Sequence, residues 1–361
     1  MLKKIFQYSM YPIIMLSAAT LLIYGMQNGY NYYAVSLSTI SIFALLILLL
    51  ERQLPYEKQW INNWDWNLDF IYYLINYAIK LIAQLQFLWL TTIFDFPEIF
   101  PTQLPFWLQV IISLTLMDFF LFYVHKISHK YLFLWDLHAI HHSSERLYFL
   151  NGEKRHALHQ ILEGAPGIIL CLFIGTPHTV LITALSLLAI NMFMQHTNLD
   201  YKAGILKKFF CVAELHRWHH RADYHDAQVN FGAWLTVWDH LFGTAYDNPK
   251  MANELGAIGI KEEPNFPKNY VSQFLYPFSK KIKKQSKKMI PFLILFLISV
   301  ASLAQSADDI TGKWINPDQT MVIEVYKDAE TYIGKVIQEE DKKQIEKIII
   351  WDLKYDIDAK K

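Results

Sequence analysis

The amino-acid sequence predicts an all-α integral membrane protein with about four transmembrane helices, a re-entrant helical hairpin, a cytosolic histidine-rich cap and a short β-rich C-terminal tail. Of its 361 residues, 53% are hydrophobic, 16% are aromatic and only 18% are charged, which is more apolar than an ordinary soluble domain. Several apolar runs approach the roughly 20 residues that a helix needs to cross a bilayer. Eight of the 14 histidines fall within three short motifs. Together these features favour a membrane protein that uses histidine chemistry.

The overall charge and the cysteines exclude several classes of function. Lysine plus arginine equals aspartate plus glutamate, so the net charge is zero and no general basic field attracts nucleic acid. The two cysteines, Cys171 and Cys211, form neither a CxxC pair nor a disulfide framework. Any metal site is therefore built from nitrogen and oxygen ligands.

Two apolar hairpins open the chain. Residues 11–26 and 33–50 are joined by the polar turn 27–29, and residues 69–90 and 106–124 flank a loop with three prolines, which cannot continue a helix. Positive charge follows or precedes these runs on one side only, at Lys3, Lys4, Arg52, Lys58, Lys126 and Lys130. The positive-inside rule places that side, and the histidines beyond residue 124, in the cytoplasm, here of a bacterial inner membrane.

A further apolar stretch at 161–193 is interrupted by Gly175-Thr176-Pro177, which leaves two arms of about 13 to 16 residues, short for full spans. We expect a helical hairpin that enters the membrane partway and returns, so that both its ends lie on the histidine side. The alternative is a buried helix pair in a globular cap.

The C-terminal part of the chain changes character. A basic run at 280–288 precedes an apolar segment with small residues at Ser302 and Ala304, as in a signal-peptidase site, which predicts a tail outside the membrane. Beyond it, polar and apolar residues alternate as in a strand hairpin, and the tail resembles the opening of an uncharacterised family of small secreted bacterial β-rich proteins. About 55 residues provide little core, so we expect an incomplete unit, either a fused fragment or a secreted binding module.

The predicted organisation has five parts, with boundaries set by these changes in composition. They are a transmembrane hairpin at 1–66, a catalytic domain at 67–250, a basic linker at 251–288, a signal-like segment at 289–305 and a β-rich tail at 306–361.

The histidines form one HxxxH motif and two HxxHH motifs. The first is at 125–129, the second at 138–142 and the third at 216–220. Residues four apart lie on one face of a helix, so both imidazoles of the HxxxH motif can reach one metal, and each HxxHH motif puts its three histidines within one helical turn. An HxxxH at a membrane end is also typical of an interfacial pair, but three such motifs on one membrane face favour metal.

The number of imidazoles predicts two metal ions. Eight or nine imidazoles are about twice what one tetrahedral zinc accepts. The sequence has no HExxH motif, which disfavours a zinc peptidase, and no G-x-S-x-G elbow, which disfavours a serine lipid esterase. Iron with positions open to dioxygen fits better. A membrane zinc-binding or metal-handling protein without redox activity is the alternative.

The motifs HKISH, HAIHH and HRWHH, in this order after two membrane hairpins, resemble the histidine signature of the fatty acid hydroxylase and sterol desaturase superfamily. The phrases at 141–145, 195–198 and 230–244 extend the resemblance over residues 70–246. It implies a helical membrane enzyme with two irons that uses dioxygen and external electrons to hydroxylate or desaturate lipid C–H bonds. It also implies nine ligands: His125, His129, His138, His141, His142, His196, His216, His219 and His220.

The sequence allows two interpretations for each of four further residues. His156 and His159 have ligand-like spacing but can instead orient ligands or bind a headgroup, and Glu145 and Asp239 are either carboxylates that hold imidazole tautomers or helix-surface charges. His178, His225 and His240 are expected to be structural or to support the ligands. No catalytic residue is predicted beyond the metal ligands. A fused cytochrome b5 domain would bring a His-Pro-Gly-Gly phrase; without it we expect a separate electron donor, a ferredoxin, cytochrome or reductase, and a lipid substrate from the bilayer.

Overall fold

The computed structural model describes residues 2–61, 65–93, 98–248, 255–279, 311–315, 321–328, 331–339 and 348–353. The chain forms two compact units, one comprising Met1–Leu85 and Phe96–Ile282, the other Gln86–Asp95 and Lys283–Lys361. The predicted basic run at 280–288 and the signal-like segment at 289–305 lie outside the described residues.

Four helices account for the two predicted hairpins. They are α1 (Leu2–Gln27), α2 (Tyr32–Gln53), α3 (Trp66–Ile93) and α4 (Phe106–Ser128). Gly29 takes a φ of 72° in the tight turn between α1 and α2, a conformation that favours glycine, and the Asn31 side chain caps α2 by accepting from the Ala34 amide. Both predicted hairpins are thus formed by helices at the expected places.

The second half of the membrane region contains α6 (Ala157–Phe173) and α7 (His178–His196), joined at Gly175. Their lengths of 17 and 19 residues exceed the predicted 13 to 16. The prediction was too short because it stopped at the last apolar residues, whereas α7 continues through buried polar side chains that find partners: Asn191 donates to the Cys211 and Ala233 carbonyls, and Gln195 to the Gly232 carbonyl.

Within the described residues, α1, α2, α4 and α7 are long and apolar enough to cross a membrane. Three of these were predicted spans, and α7 was expected only as an arm of the re-entrant hairpin. The loop that follows α6 is hydrogen-bonded to the loop that precedes α4, since the Phe100 amide donates to the Ile174 carbonyl at 2.7 Å. With these apolar helices, the protein is an integral membrane protein.

Four shorter helices form the cap over the membrane region: α5 (Leu132–His142), α8 (Ala213–His219), α9 (Val237–Leu241) and α10 (Tyr270–Ser279). Helix α10 lies in the predicted linker, and its Tyr276 packs in a buried apolar cluster with Tyr72 of α3 and Ile140 of α5. Part of the predicted linker thus belongs to the first compact unit.

The histidine end of the helix bundle is braced by the chain that follows α7. Gln7 of α1 donates to the Asp200 carboxylate at 2.6 Å, and the Asp200 amide donates to the Leu54 carbonyl just after α2. The buried Glu51 accepts from the Thr197 hydroxyl and the Asn198 amide. The start of α1 and the ends of α2 and α7 therefore meet at one end of the bundle.

The second unit contains a four-stranded antiparallel sheet in the order β1 (Gly312–Ile315), β2 (Met321–Asp328), β3 (Thr331–Glu339) and β4 (Ile348–Leu353). The hairpin of β2 and β3 pairs Val325 with Gly334 and Asp328 with Thr331. The alternation of polar and apolar residues had predicted strands in this segment.

Candidate metal centre

The three histidine motifs converge because each lies at a helix end on the same side of the bundle. His125 lies in the last turn of α4 and His129 caps that helix. The second motif forms the last turn of α5, and the third occupies α8 with His220 as its C-cap. The C-terminal residue of α7, His196, meets them from the membrane side. The structure therefore brings all nine predicted histidines together.

These nine side chains form two groups, and within each group one nitrogen per ring lies within 4.8 Å of those of the others. The first group contains His125, His129, His138, His142 and His219, and the second contains His141, His196, His216 and His220.

Each HxxHH motif contributes to both groups, for a reason of helix geometry. Successive residues of an α-helix point about 100° apart, whereas residues four apart point the same way. His138 and His142 accordingly face the first group while His141 faces the second, and in α8 the pair four apart, His216 and His220, faces the second group. One motif on one helix thus serves two adjacent positions.

The ring nitrogens that face each other lie at the separations expected for ligands of one ion. The Nε2 atom of His142 is 3.2 Å from that of His138 and 3.1 Å from that of His219, and the Nε2 atom of His216 is 2.9 Å from that of His196 and 3.1 Å from that of His220. Two nitrogens bound to one ion at about 2.1 Å, with bond angles of 90–110°, are about 3.0–3.4 Å apart.

Hydrogen bonds alone cannot satisfy these nitrogens. A neutral imidazole has one donor and one acceptor, so an Nε2 atom with two close ring neighbours can satisfy only one of them. The Nε2 atoms of His125 and His129 and both ring nitrogens of His141 are buried without a hydrogen-bond partner among the described residues. Buried nitrogens of this kind cost free energy unless they are bonded, and a divalent cation in each group would bond them.

The site favours neutral imidazole, which is the ligating form. None of the nine histidines exposes more than 6% of its surface. Burial, with a smaller contribution from neighbouring imidazoles, holds the pKa of His138, His142, His216 and His220 well below the usual value of 6.5. Burial also lowers the pKa of His219 to about 4. Protons therefore do not compete with a cation at neutral pH.

Backbone carbonyls orient two histidines of the first group. His125 donates from Nδ1 to the Phe231 carbonyl at 2.8 Å, and His219 donates from Nδ1 to the Val229 carbonyl at 2.9 Å. Because a carbonyl oxygen only accepts, each bond fixes the tautomer in which Nε2 carries the free lone pair. The side-chain amide of Gln228 lies 3.2 Å from Nδ1 of His129. The segment Gln228–Phe231 therefore lines the outer side of the first group.

Asp239 holds this segment in place. Its carboxylate accepts from the Phe231 and Gly232 amides at 2.8 and 2.9 Å and from the Thr244 hydroxyl at 2.7 Å. The side chain is 1% exposed. Of the two interpretations of Asp239, the structure therefore favours the carboxylate that supports the site. Glu145, by contrast, is exposed to solvent.

His156 and His159 do not join either group. His156 caps α6, where its Nδ1 accepts from the Leu158 amide while its Nε2 donates to the Phe274 carbonyl, so both nitrogens are used. His159 lies beside the first group with its ring centroid 4.7 Å from that of His138, and its Nε2 is 2.9 Å from the Ser128 hydroxyl. His156 has a structural role, and His159 supports the site from outside.

The remaining predicted histidines lie away from the groups. His178 begins α7, at the end of the helix opposite to His196. His225 and His240 are exposed.

The sequence did not identify two arginines that stabilise the surroundings of the site. Arg217, inside the third motif, donates to the Thr197 and Leu199 carbonyls and stacks its guanidinium 3.8 Å from the Tyr56 ring centroid. Arg155 forms a buried ion pair with Glu163 at 2.6 Å. The sequence also did not identify the carbonyls that orient His125 and His219. The motif NFG at 230–232 lies beside them, but every residue has a carbonyl, so no residue type marks this role.

Known proteins match the part of the chain that contains this centre. Residues 110–244 match the family model for fatty acid hydroxylases. The ornithine lipid hydroxylase OlsE of Rhizobium tropici is 29% identical over 265 residues, which are 70% of this chain and 77% of that protein. The alkylglycerol monooxygenase of Caenorhabditis elegans is 30% identical over 134 residues, 37% of this chain and 26% of that protein. The human alkylglycerol monooxygenase is 29% identical over 167 residues, 45% of this chain and 35% of that protein. No solved structure matches the chain.

Proposed function

Because the chain belongs to the fatty acid hydroxylase and sterol desaturase superfamily, we propose that it is an integral membrane oxidoreductase that hydroxylates a lipid C–H bond at a two-iron centre held by nine histidines. The observation that carries the proposal is the sorting of these histidines into two adjacent buried groups of five and four. The relatives are named as hydroxylases and monooxygenases, which favours hydroxylation over desaturation.

Among the metals that bind imidazole nitrogens, iron is the one that fits an oxidation reaction. Neutral imidazoles bind iron, zinc and copper, and a shell of nitrogen ligands leaves the charge of the ions uncompensated, so they are strong Lewis acids. With iron bound, the centre supplies the activation of dioxygen. Hydroxylation also consumes two electrons and two protons, and we propose a separate ferredoxin, cytochrome or reductase as the electron donor.

The protein's own contribution is to hold and shield the centre. Phe231 packs its ring against His125, His129 and His219, with centroid distances of 5.1 to 5.5 Å. Trp135 covers His129 from the cap with a centroid distance of 5.0 Å. These apolar faces exclude water from the first group and keep the imidazoles neutral.

The substrate is proposed to be a lipid that enters laterally from the bilayer, because the centre lies at the end of apolar helices. The basic residues predicted to face the cytoplasm lie in the first turn of α1 and in or just beyond the last turns of α2 and α4, at the same end as the histidines. We therefore place the centre on the cytoplasmic side of a bacterial inner membrane, and the C-terminal tail outside.

Metal analysis with dioxygen uptake tests this function. We expect about two irons per purified chain, reductant-dependent dioxygen consumption, and one added oxygen in a membrane lipid of cells that express the gene. His141→Ala and His219→Ala each remove a ligand from a different group and should abolish activity with loss of metal. His225→Ala changes an exposed histidine outside both groups and serves as the control.

Two outcomes would contradict the proposal. Full metal occupancy in both ligand variants would refute the ligand assignment. Zinc alone, with no dioxygen uptake under reductant, would instead favour a metal-handling protein.

A further inference from the structure

The two histidine groups differ in the hydrogen-bond partners of the ring nitrogens that point away from the centre of the group. In the first group, the outer nitrogens of His125, His129 and His219 face the Gln228–Phe231 segment. In the second group, the Nδ1 atoms are buried and have no hydrogen-bond partner among the described residues; this holds for His141, His196, His216 and His220. Among the described residues, backbone carbonyls therefore orient His125 and His219 of the first group, although the Nδ1 atom of His138 in that group has no partner. No ring of the second group has such a bond there.

The segment Gln228–Phe231 is rigid because Asn230 forms hydrogen bonds to residues outside the histidine groups. Asn230 has a φ of 53°, in the left-handed region, and its side chain donates to the Leu215 and Tyr246 carbonyls and accepts from the Tyr246 amide. Gly232 permits the close packing here, since an added Cβ would lie 2.4 Å from the Cys211 sulfur.

Asp239 acts on the same peptide unit that His125 uses. The Gly232 amide and the Phe231 carbonyl belong to one peptide group, and Asp239 accepts from the amide at 2.9 Å while His125 donates to the carbonyl at 2.8 Å. Hydrogen bonds linked through one peptide group polarise and strengthen each other. The carboxylate thus fixes the position of the carbonyl and increases its strength as an acceptor.

We infer that the two metal positions are inequivalent, and that Asp239 is a positioning residue that makes the five-histidine group the tighter position, which fills first. The inference rests on the proposed function, because it requires that both groups bind an ion. Outer hydrogen-bond partners of metal ligands raise affinity because they fix the ring orientation and tautomer, and their loss costs about 10–100-fold in affinity. The five-histidine group has such partners, and it has one more ligand.

The matched control is Asp118 on α4. Its buried carboxylate also accepts three hydrogen bonds from the same loop, from the Trp234 and Leu235 amides and the Trp238 indole, but none from the segment that faces the histidines. Asp118→Asn should weaken the packing of the loop without changing the ligand tautomers. If Asp239 had only a general structural role, Asp239→Asn and Asp118→Asn should have the same effect on metal binding.

The test is a Co²⁺ titration of the full-length, chelator-stripped protein, followed by the visible absorption of bound Co²⁺ and by competition with a chelator. We expect two binding steps in the wild type. His129→Ala should remove the tighter step and His196→Ala the weaker one. In Asp239→Asn the tighter step should weaken by about 10–100-fold while the weaker step is unchanged. Thr244→Val removes the hydroxyl that donates to the Asp239 carboxylate at 2.7 Å and leaves the carboxylate itself in place. It should weaken the tighter step even if Asp239→Asn does not fold.

The outcomes separate this inference from the proposed function. Two equal steps in the wild type, equal weakening of both steps in Asp239→Asn, or the same effect in Asp118→Asn would each overturn the inference and leave the two-metal centre standing. Fewer than two Co²⁺ ions per wild-type chain would contradict the two-metal centre itself.

Discussion

A single added methyl group should push α6 away from α4, the helix whose end provides His125 and His129 to the site. Helix α6 crosses α4 at Gly167, where an added Cβ would lie 2.7 Å from the Met117 Cα and 3.2 Å from its carbonyl oxygen. Both contacts are with backbone, which cannot rotate away. Ordinary Cβ contacts begin at 3.4 Å, so Gly167→Ala must push the helices apart by about 0.7 Å.

The loss of stability caused by Gly167→Ala can be measured against the same substitution at Gly164, a neighbouring glycine on α6. Gly164 has no atom within 4 Å of its added Cβ, so Gly164→Ala should gain only the helix propensity of alanine, up to about 1 kcal/mol. Gly167→Ala makes the same gain but also incurs the cost of overpacking, about 1–3 kcal/mol. The difference between the two variants therefore isolates the steric cost.

Thermal unfolding in detergent, followed by tryptophan fluorescence, measures this difference. We expect Gly164→Ala to melt at or above the wild-type temperature and Gly167→Ala to melt about 2–9 °C below Gly164→Ala. Equal melting temperatures for the two alanine variants would refute the close approach of α4 and α6.

Three further predictions follow from the site. Gly152→Ala would place a Cβ 3.0 Å from the His196 ring, which must then shift by a few tenths of an ångström, so a chelator should remove one of the two ions more readily than from the wild type; unchanged chelator competition would contradict the assignment of His196. Arg155→Met leaves the buried Glu163 carboxylate without its ion-pair partner and should cost about 3–5 kcal/mol in thermal unfolding, with partial recovery when Glu163→Gln is added; no recovery would argue against the pair. Burial lowers the pKa of His219 from 6.5 in the unfolded chain to about 4 in the folded chain, so the unfolded chain takes up the proton first. In the metal-free protein this histidine alone should cost about 3 kcal/mol of stability as the pH falls from 6.5 to 4, and the other buried histidines, whose pKa is also lowered, add to that loss. Denaturant unfolding of the stripped protein at pH 7 and pH 4.5 checks this, and a stability independent of pH would contradict the buried neutral state.

The sequence alone determined the features that depend on local spacing. Apolar runs of the right length placed α2 and α4 within a few residues of their observed bounds, because helix length and hydrophobicity are local properties. The end of α1 was also close, but α1 begins at Leu2, nine residues before the predicted apolar run. The three motifs identified eight histidines of the site for the same reason, since residues three and four apart lie within about one helical turn in any fold.

Only the tertiary structure decided how those histidines are divided and which neighbours support them. The orientation of α5 and α8 sends His141 and His142 to different groups, and no spacing along one helix specifies where the partner helix stands. His156 has the same spacing as a ligand, yet the approach of Phe274 occupies its ring. The carbonyls of Val229 and Phe231 orient two imidazoles, and every residue has a carbonyl, so a sequence carries no signal for that role. Contacts between distant segments depend on packing, and packing is decided by the whole fold.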